Sequence, residues 1–382
     1  MPDQVRDLPQ KRVREAKEDQ EATFLSPFAS RAALSQGRLR PEEPCQVRTA
    51  YERDVGRILY SLPFRRLRHK TQVFFDPQND HVCTRMEHVL YVSYLAETIG
   101  KALGLNTDLI RAIALGHDLG HAPFGHAGEA TLNQLIQAQD QGLTFSHEQH
   151  GLRVVDLLSE HKGRAGLNLT FEVRDGIASH CGERYDEFVL APAKGKQEKD
   201  LIPGALRHDM PATLEGCLVR LADRMAYVGR DIEDATRSGL LYFDELPGDL
   251  RAILGHNNSE IVDTLVKDVI EHSLDQEAII MSQRIGKALQ KLIEINYEKI
   301  YLAPRVRRYE IQVGNTLEAL FEYYLNLASQ DQLDMSSPAQ AFADYVQRHP
   351  DKEADPVRIV TDYIAGMTDP FAGRMFKSIF GI

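Results

Sequence analysis

The segment GHDLGHAPFGHAGE, residues 116–129, constrains the fold of this chain more than any other stretch. It places three histidines, an aspartate, a glutamate and four glycines within fourteen residues. An apolar run at residues 109–115 precedes it, so His117 and Asp118 stand at the end of a predicted helix. Because an imidazole and a carboxylate are costly to bury without partners, this helix end predicts a cation or a hydrogen-bond network.

The overall composition is that of an ordinary globular protein. A chain of 382 residues can bury a large core in one domain or two. Its net charge of -11 argues against a protein whose whole surface binds nucleic acid. The N-terminal residues lack a signal-peptide core, no apolar run is long enough to span a bilayer, and the four cysteines are scattered. These features predict a cytoplasmic protein with reduced thiols and no membrane association.

Helical periodicity dominates the chain and predicts an all-α fold. Ser146 is the expected N-cap of one helix, with Gln149 at the capping-box position. The best strand candidate is RYEIQVG, residues 308–314. Residues 1–23 are predicted to form a mobile or loosely docked arm, and 24–46, 74–84 and 191–210 to be irregular or loops. The predicted helices are 51–62, 85–103, 107–117, 128–138, 146–161, 171–180, 211–237, 261–272, 275–297, 317–327, 338–349 and 355–367.

Four side chains that favour metal ions recur along these helices in the order H, HD, D. His88 stands in the first turn of one helix, and His117 and Asp118 end the next. Asp223 lies within the long helix. Two imidazoles and two carboxylates form a mixed nitrogen and oxygen set that suits Mn, Mg, Fe, Co, Ni or Zn. Such a set leaves coordination positions for water and a phosphate oxygen, as metal-assisted phosphoester hydrolysis requires.

Five phrases in order carry a resemblance to a known family. FRRLRHKTQVF, TRMEH, HDLGHAPFGHAGE, SHEQH and LADRMAYVGRDIEDA together resemble the deoxynucleoside triphosphate triphosphohydrolases, the dGTPase-like branch of the HD-domain phosphohydrolases. The resemblance runs from about residue 51 to residue 241. It implies an all-α HD-domain fold with additional C-terminal helices, and cleavage of a dNTP to deoxynucleoside and inorganic triphosphate. The expected division is an N-terminal arm and lead-in at 1–47, an HD core at 48–241, and a helical extension packed on that core at 242–382.

The resemblance also implies roles for individual residues. It makes His88, His117, Asp118 and Asp223 the ligands of one divalent cation. One metal is favoured over two, because the early helices hold no further histidines of the metal-binding type. The sequence leaves the physiological metal and the preferred base open.

Proton-transfer groups are expected beside this metal site. His126 and Glu129 share a helical face if that segment is a helix, and a carboxylate bonded to an imidazole raises its basicity. The resemblance assigns this pair to attack or protonation at the alpha-phosphate, His147 to contact with the phosphate or leaving oxygen, and His121 to substrate or the ligand shell. A structural hydrogen bond, or a plain helix start at His147, is the alternative. Which histidine is the acid stays open.

Substrate contacts are expected on the long helix and among the arginines. Asp223, Tyr227 and Asp231 are spaced by four, so they share a face, and the resemblance assigns the last two to the deoxyribose. Arg85 lies three residues before His88 and suits a phosphate.

A basic cluster at residues 53–70 is a second candidate for phosphate binding. Arg53 and Arg66 are its proposed members, and a solvated basic face is the alternative.

Two rival functions remain. One is another HD-domain nucleotidase or phosphodiesterase, and the other is a non-catalytic nucleotide-sensing regulator. The resemblance further implies a homo-oligomer, dimer to hexamer, and a dNTP or single-stranded DNA effector in some relatives.

Overall fold

The computed structural model describes residues 11–71, 83–140, 142–181, 186–201, 209–329, 337–351 and 354–381. Helices dominate these residues, so the all-α prediction is confirmed. Of the predicted loops, residues 74–82 and 202–208 lie outside the described residues. The helices are α1 (Lys11–Phe24), α2 (Ala50–Leu59), α3 (Leu62–Arg66), α4 (Arg85–Ala102), α5 (Thr107–Gly116), α6 (Gly125–Gln139), α7 (His147–Arg153), α8 (Phe171–Ala178), α9 (Leu214–Arg237), α10 (Gly248–Leu254), α11 (Asn258–Ser273), α12 (Gln283–Asn296), α13 (Pro304–Ala328), α14 (Ser337–Arg348), α15 (Pro356–Ala365) and α16 (Asp369–Phe380).

Short elements connect these helices. Strand pairing within the described residues is limited to two antiparallel pairs, β1 (Glu160–His161) with β2 (Arg164–Ala165) and β3 (Val189–Leu190) with β4 (Ile279–Ile280). Five 3₁₀ turns lie at Ala32–Leu34, Leu67–His69, His117–Gly120, Glu198–Asp200 and Phe243–Glu245, and π-helical turns lie at Val154–Leu158 and Tyr297–Tyr301. None of the described helices has the length and apolar character needed to cross a membrane.

Several helix boundaries differ from the prediction, two of them in the C-terminal part of the chain. RYEIQVG is not a strand, because it lies within α13, which starts at Pro304 and buries Val306, Val313 and Leu317 at helical spacing. The helix predicted at 275–297 begins only at Gln283. Residues 279–280 before it are extended instead, since β4 pairs with β3.

The arm predicted for residues 1–23 is helical over residues 11–23, which form part of α1. Lys17 forms an ion pair with Glu52 at the start of α2, and the carboxylate of Glu21 accepts a hydrogen bond from the backbone of Ala32. These contacts attach α1 to the main body.

Helix α5 is the centre of the main core. Its residues Leu109, Ile110 and Ile113 are fully buried, and α2, α4, α8 and α9 all pack against it. Since α5 ends at Gly116, the polar groups that follow it are enclosed by the surrounding helices. The site predicted at this helix end therefore lies inside the fold.

The chain reverses direction after the 3₁₀ turn at His117–Gly120. Phe124 and Gly125 both have positive φ, 66° and 62°, which allows α6 to begin at a sharp angle. The backbone N–H of Phe124 donates to Asp369 Oδ1 at 2.8 Å, so the first residue of α16 holds this turn. The side chain of Phe124 joins a second apolar core with α13 and α15. The C-terminal helices thus support the segment that carries His126.

The start of α7 is not capped as predicted. The Ser146 side chain makes no cap hydrogen bond, and its buried Oγ has no partner. The carboxylate of Glu129 accepts the backbone N–H of His147 at 2.9 Å instead. A side chain from α6 therefore fixes the first turn of α7.

Gly120→Ala is expected to destabilise the protein by about 3 kcal/mol or more, because it forces the 3₁₀ turn and α7 apart. A Cβ at Gly120 would lie 2.0 Å from the carbonyl oxygen of His147 and 2.2 Å from the backbone nitrogen of Gly151. Gly373→Ala in α16 is the matched control, since its Cβ would meet nothing within 4 Å. Urea unfolding measures both; equal stabilities would contradict the close packing.

Candidate active site

The four predicted metal ligands come together at the end of α5. Donor atoms of His88, His117 and Asp118 all lie within 4.8 Å of one another. Asp223 Oδ1 from α9 lies 2.8 Å from His88 Nε2 and 3.8 Å from His117 Nε2. The packing of α4, α5 and α9 thus gathers two imidazoles and two carboxylates around one point.

His117 supplies the best single test of whether these residues suit a cation. Its Nδ1 lies 2.7 Å from the carbonyl oxygen of Ala114, so that nitrogen carries the proton and donates it. The unprotonated Nε2 is completely buried without a hydrogen-bond partner and faces the carboxylates of Asp118 and Asp223. A lone pair that points at two carboxylates fits a divalent cation between them.

Asp118 is kept ionised by its neighbours. Burial would raise the pKa of its carboxyl, but the Arg85 guanidinium and then His121 outweigh burial and hold that pKa well below its usual range. Arg85 Nη1 lies 2.8 Å from Asp118 Oδ2, and His121 Nε2 lies 3.1 Å from Oδ1. An ionised carboxylate at neutral pH is what a cation ligand requires.

Arg85 also has unused donors. Its side chain is buried, and its Nε and Nη2 have no hydrogen-bond partner among the residues that the structure describes. Arg85 lines a cavity that also reaches the metal-type cluster, which consists of His88, His117, Asp118 and Asp223. Because buried N–H groups without acceptors are costly, these donors suit an anionic oxygen in the cavity.

The carboxylate of Glu129 pairs with His147 and not with His126, which corrects the pairing predicted from helical spacing. His147 Nδ1 lies 2.9 Å from Glu129 Oε2. Burial opposes a charge on His147, but Glu129 and then Cys181 outweigh it and raise the pKa of that imidazole well above its usual value. The same pairing lowers the pKa of Glu129, against the effect of burial.

His126 has the opposite character. It begins α6 and lines the cavity, to which its side chain is exposed. Enclosure by the cavity walls and then the positive charge of Arg85 lower the pKa of its imidazole. One wall of the cavity therefore holds a neutral histidine, His126, and a cationic histidine, His147. The ring of His121 stacks on that of His147, with ring centroids 3.7 Å apart. Such a split between two titratable groups is typical of acid and base pairs.

A single cavity of about 670 Å³ joins these groups to the predicted sugar contacts. Tyr227 and Asp231 line it, as predicted, together with Tyr301 and Tyr309, which the sequence did not single out. The hydroxyl of Tyr301 donates to Asp231 across the cavity. Tyr301 reaches this position through the π-helical turn that follows α12, and sequence periodicity gives no signal for such a turn.

Asp231 is expected to make stability fall as pH rises. Burial raises the pKa of its carboxyl to about 7, although the hydrogen bond from Tyr301 lowers it. A pKa raised above the unfolded value favours the folded state at low pH, and this contribution is lost as pH rises toward 7. Asp231→Asn should therefore gain about 2–3 kcal/mol relative to the parent protein between pH 5 and pH 8. Urea unfolding of both proteins without metal measures this, and parallel pH curves would contradict it.

The structure does not bring Arg53 and Arg66 to this cavity. Arg53 bonds the carboxylate of Glu42 at 2.6 Å on the N-terminal lead-in. Arg66 lies beside Gly366, near the C-terminal helices. Both belong to the basic cluster at residues 53–70. The packing of α2 and α3 determines where its side chains point.

His180 was missed from the sequence, although a signal exists. FEVRDGIASH ends an apolar helix with a histidine, as residues 109–117 do. His180 Nδ1 lies 2.7 Å from the carbonyl oxygen of Ile177, which repeats the arrangement of His117 and Ala114. Its ring lies 4.9 Å from that of His117 and 5.1 Å from that of His147.

Comparisons with known proteins identify the family of this chain. The HD domain family matches residues 85–228, and the Phosphohydrolase-associated domain family matches residues 279–378. A deoxyguanosinetriphosphate triphosphohydrolase-like protein of Caldanaerobacter subterraneus subsp. tengcongensis is 41% identical over 370 residues, covering 97% of this chain and 96% of that protein. One from Desulfatibacillum aliphaticivorans is 40% identical over 371 residues, covering 96% and 98%. A crystal structure of a hypothetical protein from Aquifex aeolicus has a TM-score of 0.40 at 20% identity, covering 86% of this chain and 71% of that one.

Proposed function

The chain belongs to the deoxyguanosinetriphosphate triphosphohydrolase-like family of HD-domain proteins, and from this premise we propose that it cleaves a dNTP to deoxynucleoside and inorganic triphosphate. One observation carries the proposal. One cavity brings four kinds of group together. They are the metal-type cluster, the guanidinium of Arg85, two histidines whose pKa values are shifted in opposite directions, and the pair of Asp231 with Tyr301. Its volume of about 670 Å³ lies within the usual range for small-molecule sites.

The phosphate end of the substrate lies at the metal-type cluster. His88, His117, Asp118 and Asp223 would hold the divalent cation, which supplies Lewis-acid stabilisation of phosphate charge when it is bound. Arg85 donates its free N–H groups to a phosphate oxygen. The hydrogen bond from Arg85 Nη1 to Asp118 Oδ2 holds this guanidinium beside the cavity.

The two histidines divide the proton transfers. Neutral His126 accepts a proton from water as the water oxygen forms a bond to the alpha-phosphorus. The bond from that phosphorus to the 5′-oxygen breaks, and cationic His147 gives its Nε2 proton to this oxygen, which leaves as the 5′-hydroxyl of the deoxynucleoside. Glu129 holds the ring of His147 through Nδ1 and stabilises its charge. The released anion is inorganic triphosphate.

The sugar lies against the face of α9. Tyr227 and Asp231 follow Asp223 at intervals of four, so a sugar attached to a metal-bound phosphate meets both side chains. Asp231 and Tyr301 form a hydrogen-bonded pair that can bind the 3′-hydroxyl. The walls of the cavity beyond them include Ile293 and Val306, which suit an apolar base face.

Product analysis tests this proposal directly. Purified full-length protein is incubated with each of the four dNTPs, with Mg or Mn, with and without a second dNTP, and phosphates are separated by anion exchange. Free triphosphate with deoxynucleoside is the expected result. Orthophosphate or pyrophosphate would instead mean another nucleotidase, and tight dNTP binding without turnover would mean a nucleotide-sensing regulator.

A further inference from the structure

We propose that His147, His180 and Cys181 form a second cation site that binds a thiophilic divalent ion such as Zn²⁺, and that its occupation inhibits hydrolysis. The three residues offer two imidazole nitrogens and one sulfur, all within 4.8 Å of one another. None of them belongs to the four-ligand set at the end of α5. The inhibitory part rests on the proposed role of His147 as the acid.

The distances between donor atoms match those around a tetrahedral ion. His147 Nε2 lies 3.2 Å from His180 Nε2, and 3.2 Å from Cys181 Sγ. Zinc–nitrogen bonds of about 2.0–2.1 Å at a tetrahedral angle separate two nitrogens by about 3.3–3.4 Å. A zinc–sulfur bond of about 2.3 Å places the sulfur about 3.5 Å from each nitrogen. Small side-chain movements would therefore complete this geometry.

Both histidines are already oriented as metal ligands usually are. His180 donates through Nδ1 to the carbonyl oxygen of Ile177, which leaves Nε2 as an acceptor. His147 donates through Nδ1 to Glu129, which directs its Nε2 toward His180 and Cys181. Metal-bound imidazoles commonly give their second N–H to a carbonyl or carboxylate, because this fixes the tautomer and the ring orientation.

The site is accessible and differs from the first in its sulfur ligand, and His180 also lies within 4.8 Å of donor atoms of His117 and Asp223. His147 and Cys181 line the main cavity, so an ion can enter through it, while His180 is fully buried behind them. A thiolate ligand favours soft ions such as Zn²⁺. The ligands at the end of α5 offer only nitrogen and oxygen.

Occupation of the second site removes the proton that catalysis uses. In the proposed reaction, His147 Nε2 carries the proton for the leaving oxygen, and an ion bound to Nε2 takes its place. The protein filled with Mn²⁺ alone keeps this proton. Added Zn²⁺ should therefore inhibit the Mn²⁺-filled enzyme.

Cobalt absorption and metal stoichiometry test the site without any measurement of activity. Full-length protein is titrated with Co²⁺, because a Co²⁺–thiolate bond gives a charge-transfer band in the near ultraviolet. We expect two bound ions per chain and this band, and Cys181→Ser should lose the band and one ion. Cys45→Ser is the matched control, since Cys45 is a half-buried cysteine of the N-terminal lead-in, and it should keep both. A single bound ion, or a band that Cys181→Ser retains, overturns the proposal.

Zinc inhibition tests the consequence. The concentration of Zn²⁺ that halves the rate of the Mn²⁺-filled enzyme should rise about 10- to 100-fold in Cys181→Ser, with each protein compared with its own zinc-free rate. Equal inhibition of both proteins contradicts the inhibitory role, because the ion then acts at the first site. If no dNTP is hydrolysed, the proposed function fails, whereas the cobalt band still decides whether the second site exists.

Discussion

Asp223→Asn is expected to lower kcat for dNTP hydrolysis about 1,000-fold or more, with the fold retained. The Asp223 carboxylate lies 2.8 Å from His88 Nε2 and 3.8 Å from His117 Nε2, so it completes the proposed ligand set, which comes from α4, α9 and the 3₁₀ turn after α5. The amide has the same shape but no charge, which weakens its hold on a divalent cation. Loss of several kcal/mol of transition-state stabilisation corresponds to this fall in rate.

The measurement combines steady-state kinetics at saturating Mn²⁺ with the metal content per chain. Asp234→Asn is the matched control, because Asp234 is a buried carboxylate on the same helix that bonds Arg237 away from the cavity. It should retain both metal and activity. Removal of metal with a chelator should abolish activity in the parent protein, and added Mn²⁺ should restore it. Full activity of Asp223→Asn would remove Asp223 from the ligand set.

His147→Gln is expected to slow dNTP hydrolysis by about 100- to 10,000-fold, the usual contribution of a general acid. The leaving 5′-oxygen of a nucleoside is strongly basic, so its departure depends on a proton. A 4-nitrophenyl triphosphate carries a much better leaving group and needs no acid. The variant should therefore lose far less activity with this aryl substrate than with a dNTP.

Two comparisons make this result specific. Glu129→Gln should share the leaving-group dependence, since the carboxylate of Glu129 holds the proton on His147. His126→Ala should impair both substrates alike, because removing a proton from the attacking water matters whatever group leaves. Equal losses of dNTP and aryl activity in His147→Gln would show that His147 is not the acid.

The pairing of Glu129 illustrates what helical spacing cannot supply. His126 and Glu129 are three residues apart, and that spacing favoured them as a pair. In the structure, Glu129 Oε2 instead lies 2.9 Å from Nδ1 of His147, a residue 18 positions away on α7. The close approach of α7 to the turn at Gly120 decides this pairing, and only the docked backbones show it.

The same limit explains the other differences. Tyr301 meets Asp231 across 70 residues, and His180 meets His147 across 33, so no local pattern links them. Arg53 and Arg66 belong to a basic run, but the docking of α2 and α3 directs them away from the cavity. RYEIQVG alternates like a strand, yet the burial of α13 against α6 and α15 makes it helical.

The all-α class follows from helical periodicity in the sequence, and the family follows from the resemblance of five sequence phrases to known proteins. The same resemblance picks out His88, His117, Asp118 and Asp223, although His88 and Asp223 lie 135 residues apart. The packed structure, and not the sequence, places Glu129 against His147, Tyr301 against Asp231, and Cys181 and His180 beside His147. Those contacts depend on the packing of helices distant in sequence, and that packing is set by the summed burial of many apolar side chains.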